Sequence, residues 1–381
     1  MNPPNLSKMK SPNLAFITCI EKGYLEGQSL LLYESIRQYG GAVKDCSIYA
    51  VCPREGKTVS PETQKALDKL SVIYIDKPLN QNLSFFPYAN KNFACAYVEE
   101  NTNHEVLVFL DSDTLFFREP SQLLLNVNID VAVRPVDLKG ICTSGTLDDQ
   151  FDSYWRSLCQ LCEVDYDRIP LINTTIDRAS IKSCYNGGLV AVRANKSIFR
   201  QWRENILRVT RNSLEPVPGN FWGSGQSTLA MAIWGVTESV FILDSFYNYP
   251  VHIIEHLPKQ KIYESYPIIH IHYHDGFNAE NIEKHPIFSP DFYLEDEIKD
   301  FLLSRLPLRD KHLTWSEIQA REGDSHKLAG MKDSKQNSRL KTNEANLDYN
   351  RAFLEKVKSD LDYNRAFLEE VKSDLNKSKF S

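Results

Sequence analysis

The chain has 381 residues, enough for one large core with appendages, and its 42% hydrophobic and 11% aromatic content is that of a globular protein. A formal net charge of −6 offers no basic face for nucleic acid, and an anionic substrate would need local positive charge or a metal ion against that background. Eight cysteines follow no framework spacing, and the one C-x-x-C pair, Cys159 and Cys162, has no second pair or histidine partner to make a zinc site. They read as small, reduced residues of a cytoplasmic protein, and neither a signal peptide nor a membrane-spanning run is expected.

Residues 1–12 are polar and proline-rich and are expected to be disordered. Leu14 to Ile20 reads as a first strand, and EGQSLLLYESIRQYG as a helix that ends on Gly40 and Gly41. Ser47 to Cys52 is a second strand, Pro61 to Leu70 a second helix, and Val72 to Ile75 a third strand. This alternation predicts a parallel sheet with right-handed crossovers, an α/β domain of the Rossmann-like, nucleotide-binding kind. Asn90 to Glu100 is a helix leading into Val106 to Leu110, a run too short and too rich in β-formers for a helix and apolar enough for a buried strand.

That fourth strand ends in Asp111-Ser112-Asp113, where open α/β sheets place their ligands. Two carboxylates one residue apart repel unless positive charge sits between them, and a divalent ion is the usual answer. The bland alternative is that Asp111 caps the next element and Asp113 is solvated. The apolar run on one side and Leu115-Phe116-Phe117 on the other favour the metal site.

Further on, Val131 to Pro135 is a strand, residues 140–180 read as loops and short helices, and Cys184 to Val192 as a turn feeding a strand. Residues 197–211 are helical, and the glycine-rich FWGSGQSTLAMAIWG is a turn followed by a helix. Val240 to Leu243 and Ile268 to Tyr273 are late strands, and Thr314 with Glu317 makes a capping box. In IHIHYH the three histidines His270, His272 and His274 alternate, which along one strand would put them on one face. Such a face is unlike plain core, because each imidazole needs a partner.

The main domain is expected to span residues 13–320, followed by a polar linker over 321–339 and a coiled-coil helix over 340–376. There LDYNRAFLEKVKSD recurs almost verbatim as LDYNRAFLEEVKSD, and Leu340, Leu347, Leu354, Leu361, Leu368 and Leu375 share one heptad position. Leucine at every seventh residue, with Asn343, Asn350 and Asn364 at the second seam position, predicts homo-oligomers joined through residues 340–375.

Taken in order, these motifs resemble the GT-A glycosyltransferases of the glycogenin and lipopolysaccharide galactosyltransferase kind. Phe16-Ile17-Thr18, Tyr24, Gly27, Leu31 and Ser35 are similar to their opening strand, turn and helix. Asp111-Ser112-Asp113 is similar to their Asp-x-Asp, and Asn186-Gly187-Gly188 to the turn before a later strand. Gln226 and His272-Tyr273 resemble their late glutamine and metal histidine. The resemblance implies a hexosyltransferase using a nucleotide-sugar donor, UDP-linked in the first instance, and a divalent ion, Mn2+ before Mg2+. It implies metal ligation by Asp111, Asp113 and one histidine, His272 first and His274 second since alternation alone does not choose among the three, and donor contacts from Thr18, Tyr24, Lys91, Ser112 and Gly187. Gln226, Asn186 and Lys91 are then the candidate catalytic residues, and the acceptor is a glycan, lipid or protein. Two positions depart from the pattern: Gly225 stands where the family has an aspartate, and Asp275-Gly276-Phe277 replaces a Lys-Pro-Trp run.

Three other readings compete, of which a sugar nucleotidyltransferase lacks its Gly-rich, Arg/Lys-containing loop after the first strand. A haloacid-dehalogenase-like phosphatase would use Asp111 as nucleophile and Asp113 as general acid, but that motif needs Thr or Val where Leu115 stands and normally opens its domain. A catalytically silent scaffold, oligomerised by the coiled coil, would not need the acid pair and the histidine-rich strand together.

Overall fold

The computed structural model describes residues 12–219, 221–251, 268–278, 285–288, 292 and 294–308. All but the last residue of the segment 1–12 expected to be disordered, the capping box at Thr314 and Glu317, the linker 321–339 and the coiled coil 340–376 lie outside the described residues. The chain forms two compact units, Met1–Pro216 with Trp222–His312 and Val217–Phe221 with Leu313–Ser381, and every element below belongs to the first.

In chain order the elements are β1 (Leu14–Cys19), α1 (Tyr24–Tyr39), β2 (Ser47–Cys52), α2 (Pro61–Lys69), β3 (Ile73–Asp76), α3 (Asn90–Asn101), β4 (Val106–Leu110) and β5 (Thr114–Phe116). They continue as β6 (Val131–Pro135), α4 (Asp152–Cys162), β7 (Leu171–Asn173), β8 (Ser180–Lys182), β9 (Tyr185–Arg193) and α5 (Ile198–Arg211). The last are α6 (Ser224–Trp234), β10 (Val240–Ile242), β11 (Tyr249–Pro250), β12 (His270–His272) and α7 (Asp296–Leu303).

Seven strands form one sheet in the order β10-β6-β9-β4-β1-β2-β3. β3, β2, β1 and β4 are mutually parallel, as the alternation with helices requires. Side-chain alternation divides the apolar residues between two layers. Phe16, Val108 and Leu110 face the layer that holds Leu31, Leu32 and Ile36 of α1. Ile17, Leu107 and Phe109 face Ala94, Cys95 and Val98 of α3 with Trp202 of α5 and Leu229 of α6. All five residues of β4 are buried, and removing each large apolar side chain from water contributes about 1.5–3 kcal/mol.

The expected parallel pairing holds for β1 to β4, and β9, whose sense the sequence left open, lies between β4 and β6 and runs antiparallel to both. A strand buried on both faces carries the same continuous apolar run in either direction, so LVAV does not encode its sense. The expected turn at Asn186-Gly187-Gly188 is corrected, since those residues begin β9 itself. Residues 140–180 hold an eleven-residue helix, α4, and the β7–β8 hairpin rather than short helices alone. Residues after Asp113 form β5, which leaves the main sheet and pairs antiparallel with β12 and thus His270 with Phe116 and His272 with Thr114.

Candidate active site

The chain turns sharply after Leu110. The Asp111 N–H donates to the Gly188 carbonyl at 2.9 Å, and the Thr114 hydroxyl donates back to the Asp111 carbonyl at 2.7 Å. This brings Asp-Ser-Asp between the carboxyl end of β4 and the start of β5, over the main-chain ladder of β9. Ser112 is buried and its hydroxyl donates to Oε1 of Gln28 on α1 at 2.9 Å, so the turn is tied to the first helix.

The two carboxylates have different partners. Both oxygens of Asp111 accept from Lys91 Nζ, at 2.7 and 2.9 Å, and the same ammonium lies 3.3 Å from the Gly187 carbonyl and 5.2 Å from the Phe109 ring centroid. Burial disfavours the Lys91 charge, but the Asp111 carboxylate more than offsets it and the ammonium titrates above its usual range. Asp113 meets two imidazoles: His272 Nε2 is 3.2 Å from Oδ1, and His274 Nδ1 is 3.6 Å from Oδ2. Burial would raise the Asp113 carboxyl, yet the neighbouring His272 and His274 hold it well below the ordinary carboxylate range. His272 responds in kind: burial lowers it and Asp113 raises it further, for a net upward shift.

The three histidines do not act alike. β12 ends at His272, and Tyr273 leads into a short 3-10 turn in which His274 has a left-handed φ of 50°. Strand alternation therefore does not place His274. The turn folds its ring back onto His272, with centroids 4.1 Å apart and an interplanar angle of 17°. His270 is fully buried against Phe116, accepts the Asn248 N–H on Nδ1 at 3.1 Å, and is held neutral by burial. It is a core histidine.

Asp113, His272 and His274 bring one donor atom each to within 4.8 Å of one another, the one such group of three among the described residues. One carboxylate and two imidazoles fit a divalent ion. Gly188 makes room for this arrangement, because a Cβ there would lie 2.8 Å from His272 Cε1 and 3.0 Å from Nδ1. Asn186 Oδ1 accepts the Gly188 N–H at 2.9 Å, and its amide lies 3.5 Å from Asp137 Oδ2.

Thr18 is fully buried in β1, Tyr24 is buried at the start of α1, and Gln226 lies in the first turn of α6, whose N-cap Gly223 has φ 82°. Sequence reading missed a second polar group at the same edge of the sheet. Glu21, just past β1, accepts Arg54 Nε at 2.8 Å and the Asn90 amide at 2.9 Å, and Asn90 in turn accepts from Asn80 at 2.8 Å. That chain fixes the residue before Lys91. It also missed Arg134, buried in β6, which donates to Asp137 Oδ1 at 2.7 Å and to Thr175 Oγ1 at 3.0 Å. The available signals were an acid just past a strand end, as at Asp111, and an arginine inside an apolar strand.

No helix among the described residues is long and apolar enough to cross a membrane. No curated protein sequence matches the chain. Among solved structures it is similar to the bifunctional glycosyltransferase WbbM at 11% identity and TM-score 0.44, covering 79% of this chain and 53% of that one. The chain thus spans about half the length of WbbM. It is similar to an active-site mutant of LgtC at 11% identity and TM-score 0.44, covering 77% and 96%. It is also similar to the glycosyltransferase GlyE of Streptococcus pneumoniae TIGR4, at 13% identity and TM-score 0.41, covering 82% and 63%. Residues 16–236, more than half of the chain, match the Rhodobacterales glycosyltransferase domain, and the chain belongs to that family of enzymes.

Proposed function

We infer that this glycosyltransferase takes its sugar from a nucleotide-diphosphate sugar, a UDP-sugar in the first instance, and transfers it to a hydroxyl of a glycan, lipid or protein. The observation that supports this reading most is the meeting of Asp113, His272 and His274 beside the Lys91–Asp111 pair at the carboxyl end of β4. Carboxylate and imidazole donors next to a fixed ammonium suit a divalent ion and a diphosphate in the same place.

By the resemblance, Asp111, Asp113 and His272 would hold the ion, Mn2+ before Mg2+ because an imidazole is among the donors. Bound there, it supplies positive charge where negative charge grows on the departing diphosphate. Lys91 adds a charge that needs no ion, placed by Asp111 and the Gly187 carbonyl. Ser112, locked to Gln28, and Gly187 are candidates for further donor contacts, with Thr18 and Tyr24 the candidates for the base and ribose. Asn186 and Gln226 are the candidates for contact with the reacting sugar.

All eight cysteines are free and seven are buried, in keeping with a reducing compartment such as the cytoplasm. The leucine heptads over 340–375 would join copies of the chain.

Incubation with a panel of nucleotide-sugars and Mn2+ should release free sugar from at least one donor. Asp113→Asn, which keeps the size of the side chain, should reduce that hydrolysis at least a hundredfold and weaken UDP binding. Near-normal hydrolysis by this variant with the metal removed would refute the reading.

A further inference from the structure

The resemblance implies one imidazole beside two carboxylates, whereas this chain brings two imidazoles to one carboxylate. His272 Nε2 and His274 Nδ1 take the two oxygens of Asp113 separately, at 3.2 and 3.6 Å. Atoms sharing one ion through bonds of about 2.1 Å lie roughly 3.0 Å apart at a right angle and roughly 3.4 Å apart at the tetrahedral angle. The His272 spacing of 3.2 Å falls inside that range and the His274 spacing of 3.6 Å just beyond it, and the three donor atoms all fall within 4.8 Å of one another. Two rings stacked at 4.1 Å over a single carboxylate would repel if both were imidazolium, and a shared cation removes that conflict.

Asp111 stands differently. Its two oxygens are both taken by Lys91 Nζ, and the ammonium is itself held by the Gly187 carbonyl. Each of those oxygens keeps a second lone pair, so the ammonium holds Asp111 in place without closing it to an ion.

We propose that His274 is a metal ligand of this chain beside Asp113 and His272, and that a site with two imidazoles therefore selects Mn2+, Co2+ or Zn2+ over Mg2+. The proposal rests on the donor-site reading above and changes its ligand set. Imidazole nitrogen binds borderline transition ions well, while Mg2+ demands oxygen donors and keeps its waters. His274 reaches the cluster through its left-handed turn, and its side chain is 45% exposed, so a ligand there is open to exchange with solvent.

The test is direct metal binding by the full-length, chelator-stripped protein, with and without UDP. Mn2+ is followed by electron paramagnetic resonance, Co2+ by its visible absorption, and Mg2+ by competition. The wild type should bind Mn2+ and Co2+ at least tenfold more tightly than Mg2+. His274→Ala should lose at least tenfold in Mn2+ affinity and change the Co2+ spectrum, as His272→Ala does, with Mg2+ binding little altered. Unchanged thermal unfolding of the stripped variant shows that the fold is intact. If His274→Ala binds Mn2+ like the wild type while His272→Ala does not, this ligand set is wrong and the donor-site reading stands. If the wild type binds none of these ions even with UDP, both fall together.

Discussion

Gly188 has no unusual backbone angle to require a glycine; what requires it is the His272 ring, against which a Cβ would sit at 2.8 Å. Approaches under 3 Å between carbon atoms are repulsive, and the packed wall behind His272 leaves the ring little room to retreat. Gly188→Ala should therefore fold and keep its far-ultraviolet circular dichroism while losing at least tenfold in both Mn2+ affinity and donor hydrolysis. Retention of both by the alanine variant would mean that His272 is free to move. Ser112 makes a milder case. Its hydroxyl bond to Gln28 is buried, and Gln28→Leu would strand that hydroxyl at a cost of about 1–3 kcal/mol. Calorimetry should show this as a lower melting temperature, with a rise in donor KM as the Asp-Ser-Asp turn loosens; no change in either would detach the turn from α1.

At the level of elements, α5 begins without a side-chain cap of its own, since Ser197 sits at φ 59° and its hydroxyl takes no N–H of the first turn. Glu99 of α3 fills the gap, accepting from the Phe199 and Arg200 N–H groups at 3.2 and 2.8 Å. Burial outweighs those bonds and the nearby Arg200, and it lifts the Glu99 carboxyl from 4.5 to about 7. A folded-state value above the unfolded one means that folding takes up a proton between pH 4.5 and 7. The contribution is fully present below pH 4.5 and is lost as pH rises through 7, a change on the order of 3 kcal/mol for a shift of this size. Glu99→Gln should flatten the fall in stability over that window, measured by urea unfolding at several pH values. A wild-type stability that does not fall from pH 5 to 7 would contradict the assignment.

These elements also show why some of the molecule could be read from its sequence and some could not. β4 and its acid pair declare themselves through five consecutive apolar β-formers followed by charge. β5 is three residues long, and nothing in Thr114 to Phe116 announces that the strand will leave the sheet to meet β12. His274 was legible as a histidine near His272 but not as a neighbour of Asp113, because a left-handed turn rather than strand alternation puts it there. Glu21 and Arg54 are 33 residues apart, and only the parallel pairing of β1 with β2 makes them adjacent.

For the whole molecule, the acid pair, the histidines and Lys91 all lie before residue 275, while the heptad leucines begin at Leu340. Six leucines at seven-residue intervals would span about 52 Å if helical at 1.5 Å per residue, long enough for a stable multi-stranded coil and separate in sequence from the residues proposed for the chemistry. Truncation after residue 325 should turn an oligomer into a monomer by light scattering and leave donor hydrolysis per chain unchanged. A full-length monomer at tens of micromolar would end the tether hypothesis. The site it would tether is drawn chiefly by main chain: one bond from the Asp111 N–H to the Gly188 carbonyl fixes the acid pair against the small residues of β9. A lineage descending from this chain could exchange Val, Ile and Leu through both layers of its core without lengthening that bond. On the proposed reading, what it would retain is a scatter of isolated positions, namely an acid pair, a glycine, a lysine and two histidines. Drift of this kind erases overall likeness long before it reaches the chemistry, so descendants with little visible kinship would be expected to share a donor and differ in what they decorate.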